Sequence, residues 1–143
     1  IRNTKTIMKN LILLLFTTLV FSQVSVPEDK WIDDSNFEKV IAQVSSFGEN
    51  NFKTIVVEFW AEFNKENCFA EWKQVKDATY YRIDIAKAPK AKKKHRIRMA
   101  PTLLIFKNGI KEATFKAGLD LLLPTDLEEV QATIDEINQA DKF

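Results

Sequence analysis

The stretch "VVEFWAEFNKENCF", residues 56–69, gathers a carboxylate (Glu58), two aromatic rings (Trp60 and Phe63), a polar run (Asn64, Lys65, Glu66 and Asn67) and a thiol, Cys68. Cys68 is the only cysteine and His95 the only histidine among 143 residues. A thiol attacks as its thiolate. At an ordinary pKa of about 8.5 only about 3% is ionised at pH 7, whereas a pKa lowered to about 7 at a helix N-terminus leaves about half ionised. Disulfide reduction by a dithiol enzyme uses a second thiol to release the mixed disulfide formed by the first. One cysteine is therefore restricted to monothiol exchange or to no redox chemistry. One histidine and one cysteine also make neither a tetrahedral zinc set nor a secure Cys–His nucleophile, and no glycine-rich phosphate loop is present. No metal and no cofactor are expected. His95 reads as a helix-end residue.

The elements that must position these residues follow from periodicity. In "DDSNFEKVIAQVSSF", Phe37, Val40, Ile41 and Val44 fall at helical spacing behind a Ser35–Glu38 capping box. "TIVVEFW", from Thr54, is β-branched and aromatic on both faces except at Glu58, as a central strand covered by helices requires. A second helix is expected from Asn64 or Asn67, with Phe69, Trp72 and Val75 inward, which puts Cys68 near its N-terminus. "TYYRIDIA" reads as a strand, and "PKAKKKHR" as a short basic helix with Pro89 in its first turn. Asn108 and Gly109 join two strands as a hairpin. "PTDLEEVQATIDEINQA" closes the series as a helix, with Thr125 and Glu128 as capping box and Leu127, Val130, Ile134 and Ile137 along one face. This order predicts an α/β domain with a mixed central sheet of about four strands sandwiched by helices.

Composition fits such a domain, with 45% hydrophobic and 29% charged residues. Ahead of it, "LILLLFTTLVF" is an apolar run of eleven residues, too short for a bilayer core of about 30 Å and suited to a signal peptide. Residues 1–22 are read as that signal, with 1–7 as a lead before Met8 and cleavage between Ser22 and Gln23. Residues 23–34 are a polar leader, and 35–143 form the domain. Cleavage would remove Arg2, Lys5 and Lys9 from 21 basic residues against 20 acidic ones, leaving a net charge of −2. A nearly neutral, exported chain, periplasmic or secreted, is not expected to bind nucleic acid. No membrane span follows the signal. The basic run Lys90 to Arg98 reads as a solvated face, with docking to an acidic partner as the alternative.

Three blocks give the chain a resemblance to the thioredoxin family: "VVEFWAEF", "DIAKAP" and "IRMAPTLLIFKNG", with Pro89 and Pro101 twelve residues apart. The resemblance runs from about Phe37 to Ile137. It implies the thioredoxin fold, a cis peptide between Ala100 and Pro101 beside the active site, and backbone pairing of Ala100 with an extended substrate segment. It also makes Trp60 and Phe63 the aromatics flanking the site, and Glu58 the buried acid that serves the second cysteine. In this chain, Glu58 is read as paired to a lysine. The departure falls on the chemistry, because the family's Cys-x-x-Cys positions read Asn64, Lys65, Glu66 and Asn67. Either both cysteine positions are asparagine, or one inserted residue puts Cys68 at the second, resolving position. The resulting expectation is a degenerate, non-dithiol domain that binds a peptide or protein partner at the cis-proline groove around Phe63, Asn64, Ala100 and Pro101. Two alternatives stand beside it: a monothiol thiol-disulfide exchange protein using Cys68, and a structural subunit of an envelope complex.

Overall fold

The computed structural model describes residues 25–42 and 53–140. The signal segment, its cleavage site and Val44 of the first helix lie outside them. A five-stranded sheet organises the fold: β1 (Trp31–Ile32), β2 (Thr54–Trp60), β3 (Ala78–Asp84), β4 (Thr102–Lys107) and β5 (Ile110–Lys116), in the order β1-β3-β2-β4-β5. β2 pairs parallel to β3 and antiparallel to β4, so the sheet is mixed. The fifth strand, beyond the four or so expected, is β1. It lies within the stretch read as polar leader and pairs Trp31 with Arg82 and Ile32 with Ile83. Two residues are too few to declare a strand by alternation.

β2 alternates between two cores. Ile55, Val57 and Phe59 face one with Ile83, Leu104 and Phe106, under the helices α1 (Phe37–Ala42) and α2 (Pro89–Lys94), which supply Phe37, Ile41 and Ala91. Val56 faces the other with Leu103, Ile105 and Tyr80, under Phe69, Trp72 and the helix α3 (Leu127–Ala140), which supplies Val130 and Ile134. Each large apolar side chain fully buried in these layers contributes about 1.5–3 kcal/mol. The hairpin turns at Asn108 and Gly109, with φ of 55° and 76°, the left-handed pair that a two-residue loop between twisted strands requires. Among the described residues no helix is long and apolar enough to cross a membrane.

The helix starts differ from the capping boxes read in the sequence. Asp33 Oδ1 accepts the Ser35 N–H at 2.8 Å, and Asn36 Oδ1 accepts the Asp33 N–H at 2.9 Å, while Glu38 pairs with Lys94 at 2.6 Å. At α3, Asp126 Oδ1 accepts the Glu129 N–H at 2.8 Å. In both places an aspartate, a charged acceptor suited to the positive end of a helix, takes the role assigned to a hydroxyl.

The second expected helix is the larger correction. Residues Glu62–Asn67 form a 3-10 segment kinked at Asn64, Cys68 is extended at φ −67° and ψ 166°, and Trp72–Gln74 is one further 3-10 turn. The β2–β3 connection, residues 61–77, is seventeen residues long, enough for a helix-bearing crossover, so its length does not exclude one. Its hydrogen bonds go elsewhere: Asn64 leaves helical geometry at φ −125° as its amide reaches across to neighbouring carbonyls, and the Phe69 N–H is given to Glu58 instead of a carbonyl one turn earlier.

Candidate functional site

The C-terminal end of β2 delivers Trp60, and the 3-10 segment after it delivers Phe63, Asn64, Lys65, Glu66 and Asn67. From the opposite side, the turn before β4 delivers Ala100 and Pro101, joined by a cis peptide bond. Thr102 Oγ1 donates to the Met99 carbonyl at 2.7 Å and braces this turn. The two loops are fastened by Asn64. Its Nδ2 donates to the Ala100 carbonyl and to the Leu121 carbonyl, each at 2.8 Å, and its Oδ1 accepts from Asn67 Nδ2 at 2.8 Å. The amide's donors and acceptor are thus all engaged within the chain. Ala100 is 1% exposed, and its carbonyl, which the resemblance offers to a substrate segment, is taken by Asn64.

Three large apolar side chains are exposed next to this clasp. Phe63 is 74% exposed, Leu119 90% and Leu122 54%. The Asn64–Leu121 bond sets the Phe63 turn beside the 118–122 turn, which carries Leu119 and Leu122, at the cis-proline end of the sheet. Lys65 and Glu66 are exposed, and Lys65 pairs with Glu62 at 3.3 Å, a contact that in solvent is worth well under about 1 kcal/mol. Trp60 is half-buried and packs edge-on against Trp31, with centroids 5.1 Å apart.

Beneath the loop lies a buried polar network. Glu58 is fully buried. Its Oε1 accepts from the Tyr80 hydroxyl and from Arg82 Nη2 at 3.2 Å, and its Oε2 accepts the Phe69 N–H at 2.9 Å. Arg82 Nε donates to the Tyr80 hydroxyl oxygen at 2.8 Å, and the guanidinium lies 5.6 Å from the Trp31 ring centroid. Glu58 is therefore paired to arginine and tyrosine, and the lysine partner expected from sequence is replaced by Arg82, its register neighbour on β3. Burial, then the Glu58 charge, push the Tyr80 phenol far up and keep it protonated. Burial is the largest influence on Arg82 and works against its charge, but Glu58, Tyr80 and Cys68 together outweigh it and raise its pKa, so the guanidinium stays charged. The Phe69 bond ties the segment after Cys68 down onto β2.

Cys68 caps the C-terminal end of the 3-10 segment, donating its N–H to the Lys65 carbonyl at 3.3 Å, and is half-buried. The expected helix N-terminus, with its thiolate-stabilising field, is absent at this position. Burial first and the Glu58 carboxylate second push the thiol pKa up, and Arg82 opposes them only in part. The correction is electrostatic: a protonated, weakly nucleophilic thiol stands where an activated one was the alternative. His95 is the helix-end residue it was read as, closing α2 with its ring packed edge-on between Phe37 and Phe106 at 5.4 and 5.5 Å. Among the described residues its Nε2 has no hydrogen-bond partner, and burial, aided by Lys111 and Lys94, lowers its pKa.

Sequence reasoning missed Tyr80, Arg82, Trp31 and the 118–122 turn. The first two were legible in principle, since Tyr80 and Arg82 share one face of "TYYRIDIA" by alternation, and a buried acid on the neighbouring strand calls for such partners. Leu121 carries no such signal. It adopts a positive φ of 58° in an irregular turn.

A five-stranded mixed sheet in this order, covered by helices on both faces and with a cis-proline turn opposite the loop after β2, defines the thioredoxin fold. The family profile of thioredoxin matches residues 29–123, and the chain belongs to the thioredoxin family. Among solved structures it is similar to a thioredoxin of Plasmodium falciparum, with TM-score 0.55, 19% identity, and coverage of 75% of this chain and 97% of that one. The thioredoxin of Schistosoma mansoni superposes with TM-score 0.54 at 23% identity, covering 75% and 94%. That of Malassezia sympodialis gives TM-score 0.54 at 22% identity, covering 74% and 89%. At such identities the likeness speaks for the fold. No curated protein matches the chain.

Proposed function

We propose that this thioredoxin-fold domain is a non-dithiol binding module that holds a peptide or protein partner on the apolar surface around Phe63, Leu119 and Leu122. The observation that carries the reading is the Asn64 clasp. An amide at the first cysteine position spends its hydrogen bonds on Ala100, Leu121 and Asn67, which makes the loop a fixed wall. Cys68, near Glu58 and Arg82, fits the resolving position reached by one inserted residue, and its raised thiol pKa disfavours attack. With Ala100 buried and its carbonyl already accepting from Asn64, exposed side chains offer the partner most of its contacts. Exposed apolar groups of this size, gathered at one end of a domain, mark interaction surfaces. The eleven-residue apolar run before the domain supports export to the periplasm or beyond.

A displayed random-peptide library selected on the immobilised chain tests the reading. Peptides that bind wild type and Cys68→Ser alike, with or without reductant, and lose binding to Phe63→Ser, support a noncovalent groove. Binding that disappears on Cys68→Ser and on reduction makes the protein a monothiol exchanger instead.

A further inference from the structure

Next to the cis-proline turn, between it and the end of β5, opens a cavity of about 480 Å³. Its polar rim carries Arg96, Arg98 and Lys116, and its apolar walls are Met99, Ala117 and Leu119. No carboxylate lines it. None of the three cations makes a salt bridge among the described residues, and all three are exposed. The concentration of charge is local, because the whole chain has a net charge of only +1. Lys90, Lys92, Lys93 and Lys94 on α2 lie a few residues before Arg96 in the chain and add to the positive charge of this stretch, Lys94 being paired with Glu38.

We propose that the module's partner is an extended peptide segment carrying an acidic side chain. Its carboxylate sits among Arg96, Arg98 and Lys116 while a neighbouring aliphatic side chain packs on Met99, Ala117 and Leu119. This rests on the binding-module reading and names the chemistry of its partner. Three features favour a peptide over a free anion. The cavity has three apolar side chains facing its three charged ones, so a bare anion leaves the apolar walls unfilled. Met99 adjoins Ala100, and Leu119 belongs to the same turn as Leu121, so the cavity lies beside the Asn64 clasp, and a segment several residues long can reach from one to the other. Arginine also presents a planar fork that matches a carboxylate in a way a point charge does not. Within the basic stretch from Lys90 to Arg98, the lysines thereby steer the acidic segment and the two arginines hold it.

The test sequences the peptides selected by the full chain and by Arg98→Gln/Lys116→Gln, whose exposed positions leave the core untouched. Enrichment of Asp or Glu beside aliphatic residues is expected with wild type. Affinity for the winning peptides should fall about tenfold in the double variant, and binding should weaken as salt rises. Loss of acidic enrichment in the variant, with aliphatic enrichment retained, also supports the proposal. Apolar enrichment without acids in the wild-type pool overturns it and leaves the groove standing, whereas no enrichment of any kind overturns both. Acidic enrichment that persists in the variant places the carboxylate elsewhere and overturns it too. Binding of dodecanoate without any peptide overturns it in favour of a lipid anion.

Discussion

Glu58 on β2 and Arg82 on β3 are register partners in adjacent parallel strands, both buried, with a guanidinium nitrogen 3.2 Å from a carboxylate oxygen. Removing one member of such a pair leaves the other charged and desolvated, which costs about 3–5 kcal/mol. Glu58→Gln should lower unfolding free energy by that order. Glu58→Leu combined with Arg82→Met and Tyr80→Phe should recover part of it, because the apolar groups need no partner and only the Phe69 N–H is left without its acceptor. Urea unfolding of the three proteins measures this. A loss under about 1 kcal/mol for Glu58→Gln means the network is not a structural anchor.

Asn64→Ala removes the donor to Ala100 and Leu121 and leaves Asn67 without its acceptor. Each of these three half-buried hydrogen bonds is worth about 0.5–1.5 kcal/mol net, so a loss of about 1.5–4.5 kcal/mol is expected by chemical denaturation. Amide exchange in the 62–67 and 118–122 turns should quicken together, since one side chain joins them. An unchanged midpoint and unchanged exchange mean that the clasp does not hold the loop.

Cys68 should alkylate slowly with a neutral reagent near neutral pH, its rate still climbing at pH values where an ordinary cysteine has levelled off. Burial and the Glu58 charge hold the thiol above its usual range. A rate that plateaus at or below neutral pH contradicts this placement and restores the monothiol alternative.

His95 contributes pH dependence of a definite sign. Its folded pKa lies below the unfolded value, so the unfolded chain takes up the proton first, and stability is lost as pH falls from about 6.5 toward the folded pKa. Above that window both states are neutral and the contribution is full. His95→Phe, which suits the aromatic surroundings of Phe37 and Phe106, should flatten the stability profile there, as thermal unfolding against pH can show. An unaltered profile assigns the acid sensitivity elsewhere.

The strands, the hairpin and the helices at Phe37, Pro89 and Leu127 were legible because burial imposes period two or 3.6 on the residues that meet the core. Glu58 was legible as buried because it interrupts an otherwise apolar strand, but its partner was not, since pairing Glu58 with Arg82 requires the register between two strands. The helix expected after Asn64 failed because the Phe69 N–H is spent on the buried Glu58 and the Asn64 amide on carbonyls across the loop. Phe69, Trp72 and Val75 keep the spacing of a helical face and still point into the core, while the nine residues after Cys68 run in extended and 3-10 geometry. Nor does a run of Asn, Lys, Glu and Asn announce that its first member will reach across to a carbonyl 57 residues later.

The central claim is that the loop after β2 is a wall for binding and that its thiol does not turn over. Insulin disulfide reduction with dithiothreitol as electron donor, run with wild type, with Cys68→Ser and with no protein, tests it directly. The account predicts that both proteins leave the rate at the dithiothreitol background, because one half-buried, protonated thiol neither attacks readily nor resolves a mixed disulfide. A clear acceleration by wild type that Cys68→Ser abolishes would contradict it and make Cys68 the working group.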